Sequence, residues 1–196
     1  MQELRFFLGA LLSLALVSAA QSQGLSKDVS IRYGEQVSNG QGGACGCFTL
    51  QGAAGDLYWG VKHFKGGKFD FLGLVVDAGA EHTGNVNGAG YGLTLTTVAA
   101  GPRLNLLSIG KVHPFAQALF GLAHGSGSEF PRNNTLVATA NSFALDFGAG
   151  ADYSVNKRIS VRILQLDYLR TTLPNNSTDW QNNLRIGAGL KLSFSH

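Results

Sequence analysis

Charged residues, cysteine and proline are all scarce in this 196-residue sequence, and each shortage excludes a class of protein. Charged side chains make up 14% of the chain, compared with roughly 25% in an average soluble protein. The four prolines are scattered and there is no G-X-Y repeat, which excludes collagen. The hydrophobic content of 44% is too high for a disordered chain. Glycine is abundant at 27 residues, about twice its usual share, and this disfavours a mainly helical protein.

The small excess of positive charge does not form a nucleic-acid footprint. The net charge is +3 and the pI is about 9.0. Nucleic-acid-binding proteins gather Lys and Arg on one face with aromatic residues between them. Here six of the fifteen basic residues lie in or beside three short predicted turns: Lys62, Lys65, Lys68, Lys111, Lys157 and Arg158. We therefore expect no nucleic-acid partner.

The N-terminus has the pattern of an export signal. Arg5 precedes an apolar run over 6–17, and small residues follow it. Twelve apolar residues are too few to span a bilayer, which takes about 20. We predict a signal peptide over 1–22, rather than a buried or anchoring helix. Cleavage is equally compatible with three positions, after Ala19, Ala20 or Ser22.

No later stretch reaches 18 apolar residues, so the mature chain is predicted to have no transmembrane helix. A soluble exported protein and a transmembrane β-barrel remain, because in lipid the backbone is satisfied only in helices and closed barrels.

Hydrophobic periodicity predicts strands. In the final segment, 183–194, apolar and polar residues alternate strictly over twelve positions, which is the pattern of a half-buried strand. Comparable segments near the start (from Val29) and further along bring the total to eight. The others are 47–62, 68–82, 91–106, 113–125, 142–155 and 158–171.

In some predicted strands the alternation of apolar and polar residues changes phase. The polar face shifts by one residue at Leu164, as a β-bulge would produce. Similar breaks in 47–62 and 91–106 leave the facing of those two strands open.

The connections between these strands alternate strictly in length. Strands 2–3, 4–5 and 6–7 are joined by short links at 65–67, 107–112 and 156–157. Longer links rich in Asn, Gly, Ser and Thr join the other pairs, at 39–46, 83–90, 126–140 and 172–181. Short periplasmic turns and longer surface loops are typical of bacterial outer-membrane barrels. An even number of strands then places both termini in the periplasm.

The polar face of each strand is predicted to face the lumen, where glycine fits the narrow curvature. The charges assigned there are Arg103, Arg162, Arg185, Lys191, Asp77, Glu81, Asp146, Asp152 and Asp167. Acids and bases on nearby strands can pair inside the barrel. Asp167 and Arg185 are expected at similar depth and are predicted to pair with each other. The alternative is a soluble sandwich whose charged face is solvated.

Four segments carry a resemblance to known proteins: 98–103, 114–121, 165–169 and 181–185. Together they resemble the small eight-stranded outer-membrane barrels of Gram-negative-type bacteria, the OmpA-like and OmpX-like barrels. More narrowly, the chain resembles the single-domain, porin-like barrels of soil acidobacterial-type genomes. The likeness covers 28–194 and implies an integral outer-membrane location and contact with lipopolysaccharide and the barrel assembly machinery. It implies no reaction and no cofactor. Such barrels usually end on an aromatic residue, whereas here two residues follow Phe194.

The two cysteines stand in Cys45-Gly46-Cys47, beside the first predicted surface loop. An exported protein favours a disulfide. However, Cα atoms two apart in a strand are separated by about 6.5–7 Å, at the edge of the bridging range. A strained disulfide and free thiols therefore both remain open. Two thiols are too few for a metal site.

One group of residues could in principle carry catalysis. Some eight-stranded outer-membrane barrels are lipid A deacylases with a His, Ser and Glu triad, and this chain has His124, Ser126 and Glu129. His124 and Ser126 share a strand face, but Glu129 lies in the same predicted loop rather than across a strand, where the orienting acid should sit. The remaining histidines show no ligand spacing. We assign no catalytic, cofactor-binding or metal site.

The sequence thus predicts an all-β, eight-stranded, antiparallel, up-and-down transmembrane barrel. Its expected role is structural or surface-interacting, as a monomer that is neither an enzyme nor a wide pore, with a possible extracellular ligand on its loops. The alternatives are a lipid A-modifying enzyme on the same barrel and a soluble, exported, lipocalin-like binding barrel.

Overall fold

The computed structural model describes residues 26–39, 47–63, 69–86, 90–132, 135–175 and 179–194. The predicted signal peptide, Cys45 and the last two residues lie outside this part of the chain, as do the side chains of 69–71, 128–129 and 132. Among the described residues there is no helix long and apolar enough to cross a membrane.

Eight strands make up the described structure. They are β1 (Lys27–Asn39), β2 (Cys47–His63), β3 (Phe69–Thr83), β4 (Leu93–Leu106), β5 (Val112–Arg132), β6 (Thr135–Ser154), β7 (Ile159–Thr171) and β8 (Gln181–Ser193). Each pairs antiparallel with the next, and β1 pairs with β8 to close a barrel. The predicted fold class is therefore confirmed. Closure pairs each strand of the barrel wall on both sides, while the part of β5 beyond Ser126 is not paired with β4 and the part of β6 before Ala144 is not paired with β7.

We call the end with the three short connections the turn end and the opposite end the loop end. β5 and β6 continue toward the loop end well beyond their predicted limits. The sequence predicted a loop over 126–140, but β5 runs to Arg132 and β6 begins at Thr135. After a register shift between Ser126 and Phe130, the two strands pair again, with Phe130 opposite Val137. Gly127 has a φ of +87°, a conformation that glycine adopts readily. The residues at this register shift are rich in Gly and Ser, which is typical of a loop, so the sequence did not predict the second paired stretch.

The bulge predicted in β7 is confirmed. Pairing with β8 shifts between Arg162 and Gln165, so that Ile163 and Leu164 both face outward, 52% and 39% exposed. β2 contains a similar irregularity between Gly60 and Lys62.

The break suspected in 91–106 is not a bulge in β4. The pairing of β4 with β5 keeps one register along its length, and burial alternates without interruption from Leu93 to Arg103. What changes is the character of the lumen: Leu93 and Leu95 face inward near the loop end, while Arg103 faces inward further down. Apolar residues that face the lumen therefore make the alternation of apolar and polar residues look as if it changed phase, although the facing does not change.

The outer surface of the barrel is an apolar band. Along β8 and the residue after it, outward positions from Leu184 to Phe194 are Leu, Ile, Ala or Phe. The length of this row matches that of a transmembrane strand, which takes about 9–11 residues. Ile31 and Leu122 on other strands are 63% and 68% exposed. The alternation predicted for β1, β6 and β8, with apolar residues outward and polar residues inward, is confirmed.

A polar rim bounds this band at the loop end. Its members are Gln51, His82, Thr94, His124, Asn141 and Asn182. Several are joined across neighbouring strands: His82 Nδ1 lies 3.0 Å from Thr94 Oγ1, and the Tyr168 hydroxyl donates to Asn182 Oδ1 at 2.6 Å. Polar side chains on the outward face mark the level at which the apolar environment ends.

We expect Leu190→Arg to destabilise the barrel in lipid bilayers by roughly 2–4 kcal/mol, because Leu190 lies near the middle of the apolar row. Leu107→Arg is the matched control, since both leucines are 51% exposed but Leu107 lies in the β4–β5 turn. Urea unfolding in phospholipid vesicles measures both variants. Equal losses would mean that the outward row does not face lipid.

Candidate functional site: the lumen and its loop end

Charged side chains fill the middle of the lumen. Seven carboxylates and four guanidinium groups are each less than a tenth exposed there. They are Asp28, Asp56, Asp77, Glu81, Asp146, Asp152, Asp167, Arg32, Arg103, Arg162 and Arg185. The nine charges that the sequence placed in the lumen are confirmed as inward-facing, although Lys191 remains 15% exposed. The carboxylates outnumber the cations, and some guanidinium groups bind more than one acid, as Arg162 does with Asp56 and Asp152.

One carboxylate joins four strands. Asp56 on β2 accepts from Arg103 Nη1 of β4 at 2.9 Å and from Arg162 Nη1 of β7 at 2.6 Å. The hydroxyl of Ser30 on β1 donates to the same carboxylate at 2.5 Å. Charge-assisted bonds of this kind are shorter and stronger than neutral ones. We call Asp56, Arg103, Arg162 and Ser30 the Asp56 cluster.

The Asp56 cluster extends toward the turn end. Arg162 Nε donates to Asp152 Oδ1 at 2.9 Å, and Lys191 Nζ lies 2.8 Å from Asp152 Oδ2. The ring of Phe115 on β5 contacts both arginines, with its centroid 4.6 Å from Arg103 Cζ and 4.7 Å from Arg162 Cζ. Contact with an aromatic face stabilises a desolvated guanidinium. One aromatic ring thus contacts both of the guanidinium groups that bind Asp56.

A second group of charges lies nearer the loop end. Arg32 on β1 binds Asp77 on β3 through both terminal nitrogens, at 2.5 and 3.0 Å. It also lies 3.9 Å from Asp167 on β7, which accepts from Gln165 Nε2 at 2.9 Å. A Cβ atom at Gly148 would overlap the Asp167 carboxylate. Glycine at this position therefore makes room for the buried acid.

Arg185 binds different acids from the one expected. The predicted depth is confirmed, since Asp167 and Arg185 are register partners. Arg185 nevertheless pairs with Asp146 on β6 and lies 3.5 Å from Glu81 on β3. The long guanidinium side chain crosses the lumen, so the nearest strand does not determine its partner. We call Arg185, Asp146 and Glu81 the Arg185 cluster.

The central acid of the lumen is one that sequence reasoning missed. Asp56 lies in the predicted 47–62 strand, whose facing was left open because its pattern is irregular. Strict alternation from Leu50 inward would have placed Ala54, Asp56 and Tyr58 on the lumen side, where they are found. Small residues at 52–55 weakened the signal.

Apolar residues line the lumen at the loop end. Buried side chains there pack into one cluster. Its larger members are Phe48, Leu50, Val86, Leu93, Leu95, Phe130, Leu169 and Leu173. The interior therefore changes from charged in the middle to apolar at the loop end. A water-filled entrance would instead be lined by polar side chains.

The structure settles the state of one cysteine. Cys47, at the start of β2, is disulfide-bonded. Cys45, the other cysteine of the chain, lies outside the described residues.

His124 and Ser126 lie on the outward face of β5, at and just above the polar rim. The Nδ1 atom of His124 is 2.6 Å from Oδ1 of Asn141, its register partner on β6. The partner is thus a neutral amide. Glu129 lies within the irregular stretch between Ser126 and Phe130 of β5, and its side chain is outside the described residues. Within the described part of the chain, no group of three or more His, Cys, Asp or Glu is placed to hold a metal ion.

The barrel superposes on solved outer-membrane proteins. Neisserial surface protein A, NspA, gives a TM-score of 0.60 at 14% identity, covering 88% of this chain and 98% of NspA. Ail of Yersinia pestis, in complex with the heparin analogue sucrose octasulfate, gives 0.54 at 15% identity, covering 88% of this chain and all of Ail. This is the fold of a small outer-membrane β-barrel.

A major outer membrane protein of Thermus thermophilus also matches, with a TM-score of 0.50 at 14% identity over 88% of this chain and 100% of that protein. No protein-family model and no curated protein matches the sequence. At these identities the likeness establishes the fold of the barrel, and the narrower acidobacterial resemblance stays a prediction.

A double-mutant cycle tests the Arg185 cluster. Arg185→Leu should cost about 3–5 kcal/mol, because it leaves the buried Asp146 without its partner. Arg185→Leu with Asp146→Leu should recover part of that loss. The pair Arg185→Leu with Asp167→Leu is the control and should be closer to additive, since Asp167 keeps Gln165 and Arg32. Unfolding midpoints in vesicles give the coupling energies, and an additive Arg185–Asp146 cycle would contradict the pairing.

Proposed function

We propose that this protein is an integral outer-membrane barrel with a structural or surface-interaction role. One observation carries the proposal: the barrel is apolar outside and charged inside, which is the reverse of a soluble barrel. A lipocalin-like binder would expose polar residues and enclose an apolar cavity along its lumen. Here exposed Leu, Ile and Phe surround a lumen of buried ion pairs, which suits a lipid environment.

A conducting role is disfavoured by the contents of the lumen. Side chains from β1, β2, β4 and β7 meet at Asp56 within hydrogen-bond distance. Eight strands enclose an interior that side chains can fill. Opening a channel would require these buried ion pairs to separate, and each unpaired charge would be costly.

The proposed orientation places the loop end outside the cell and both termini in the periplasm. The short connections at the turn end support it, together with the longer connections and the β5–β6 extension at the loop end, since outer-membrane barrels have short periplasmic turns and longer extracellular loops. We also propose that the chain inserts through the barrel assembly machinery and contacts lipopolysaccharide. Because every strand of the barrel wall is paired with both of its neighbours, the protein is proposed to act as a monomer.

The loop-end sequence argues against a polyanionic surface partner. The segments at that end are 40–46, 84–92, 127–134 and 172–180. Together they contain one base, Arg132, and two acids, Glu129 and Asp179. Ail was crystallised with a sulfated heparin analogue, but recognition of sulfate calls for clustered Arg or Lys. We therefore propose that the surface partner of this barrel is neutral.

Site-specific proteolysis of intact cells tests the location and the orientation together. The same protease recognition sequence is inserted between Asn133 and Asn134, which separate β5 from β6, or between Asn156 and Lys157 in the β6–β7 turn. External protease should cut the first variant in intact cells and both variants after lysis. Cleavage of the second variant alone in intact cells would show the opposite orientation, and cleavage of neither, with the protein recovered in the soluble fraction, would remove the proposal.

The enzymatic alternative is tested on lipid A. Because His124 is bound to an amide rather than a carboxylate, we expect the purified barrel to leave the mass of lipid A unchanged. Mass spectrometry after incubation in mixed micelles measures this, with Ser126→Ala as the matched variant. Loss of an acyl chain with the wild-type protein but not with Ser126→Ala would establish the deacylase alternative instead.

A further inference from the structure

A cavity of about 280 Å³ lies at the loop end of the lumen. We call it the mouth cavity. Apolar and aromatic side chains form about half of its wall, and the larger ones are Phe48, Tyr91, Leu93, Leu95, Phe130 and Leu173. Its volume equals about nine molecules of liquid water at roughly 30 Å³ each, and it approaches the lower limit for small-molecule pockets, about 300 Å³. A two-ring aromatic molecule would fit this space.

Gln36 on β1 lines the same cavity and is fully buried, with an exposure of 0%. Among the described residues, neither its carboxamide oxygen nor its nitrogen has a hydrogen-bond partner. Buried polar groups are almost always paired, because an unpaired one loses its hydration without compensation. A wholly unpaired carboxamide in the wall of a cavity is therefore a group available to a ligand.

Three other polar side chains that line the cavity are already hydrogen-bonded. Thr171 Oγ1 donates to Gln181 Oε1 at 2.9 Å, and Gln181 Nε2 donates to the Leu173 carbonyl at 2.8 Å. Asn183 Nδ2 donates to the Leu169 carbonyl at 3.0 Å. Gln36 thus differs from the other buried amides that line the cavity.

The wall of the mouth cavity carries no charge. None of the described residues that line it is Asp, Glu, Lys or Arg. The nearest inward charge on a paired strand, Arg185, is engaged with Asp146 and Glu81. An ionised ligand would lose its hydration here without gaining a counter-charge. The cavity therefore favours an uncharged occupant.

We propose that the mouth cavity binds a neutral amphipathic molecule with an aromatic body and a carboxamide-like head. The body packs against Phe48, Phe130 and the leucines. The head both donates to Gln36 Oε1 and accepts from Gln36 Nε2, as a primary amide or lactam can. This inference rests on the barrel fold and the cavity, and it holds whichever way the barrel is oriented in the membrane.

Equilibrium dialysis of the barrel in phospholipid nanodiscs tests the proposal, with empty nanodiscs as the control for partitioning into lipid. The probes are naphthalene-2-carboxamide, the naphthalene-2-carboxylate anion and naphthalene. The amide should bind saturably at one site per barrel and more tightly than either comparison. Absence of saturable amide binding, or equal binding of the anion, would overturn the proposal.

Two substitutions locate the site. Gln36→Leu removes the carboxamide at nearly constant volume, and it should leave the fold intact because it removes an unpaired buried group. It should weaken binding of the amide about tenfold, as expected for loss of hydrogen bonds, without weakening binding of naphthalene. Gln51→Leu makes the same change on the outward face of β2 and should leave both affinities unchanged. Unaltered amide binding by Gln36→Leu would refute the assigned role.

A spectroscopic readout is independent of the affinities. In the wild-type barrel, the side-chain NH₂ resonances of Gln36, assigned by their absence in Gln36→Leu, should shift on addition of the carboxamide. The Gln51 side-chain resonances should not. Resonances of Gln36 that stay in place at saturation would mean that the amide binds elsewhere, and the proposal would fail.

Discussion

The shared Asp56 carboxylate is the interaction on which the rest of the lumen depends. A closed barrel in lipid must direct its apolar residues outward, so its polar residues are confined to a narrow interior where water cannot stabilise them. Asp56 meets Arg103 and Arg162 there at 2.9 and 2.6 Å. Since these residues come from strands distant in sequence, the ion pairs form only when the barrel is closed in the correct register. A fully bonded network of this kind favours one arrangement of strands over others.

The same constraint explains the two characters of the interior. In the middle of the barrel, carboxylates and guanidinium groups form ion pairs with one another and fill the lumen. Toward the loop end the inward-facing residues are apolar, as at Leu93, Leu95 and Phe130. Among the described residues that line the mouth cavity, the carboxamide of Gln36 has no hydrogen-bond partner. A lumen filled with ion pairs in its middle and apolar at the loop end supports the proposal that the barrel is not an aqueous channel. It is better suited to hold a small molecule at one end.

The sequence alone determined most of the barrel. Period-two alternation is a local property of a strand, so it predicted eight strands, the outward faces of those with regular alternation and the bulge at Ile163–Leu164 without knowledge of their neighbours. Alternating connection lengths gave the up-and-down order. The β5–β6 extension escaped prediction because its pairing after Gly127 depends on the partner strand, while its local composition is typical of a loop. The Leu residues at the loop end of β4 suggested a change of phase in the alternation, because the apolar character of the lumen there depends on the other strands as well.

The pairing of side chains within the lumen was decided by the tertiary structure. Each inward residue meets several strands across a space narrow enough for an arginine to cross, so sequence neighbours do not identify partners. Arg185 was correctly placed at the depth of Asp167, yet it binds Asp146 and Glu81. Gln36 could be assigned to the lumen from alternation, but its lack of a partner is visible only once all eight strands are in place. The direction in which a side chain faces is determined by alternation along its own strand. Its contacts across the lumen are determined by the closure of the barrel.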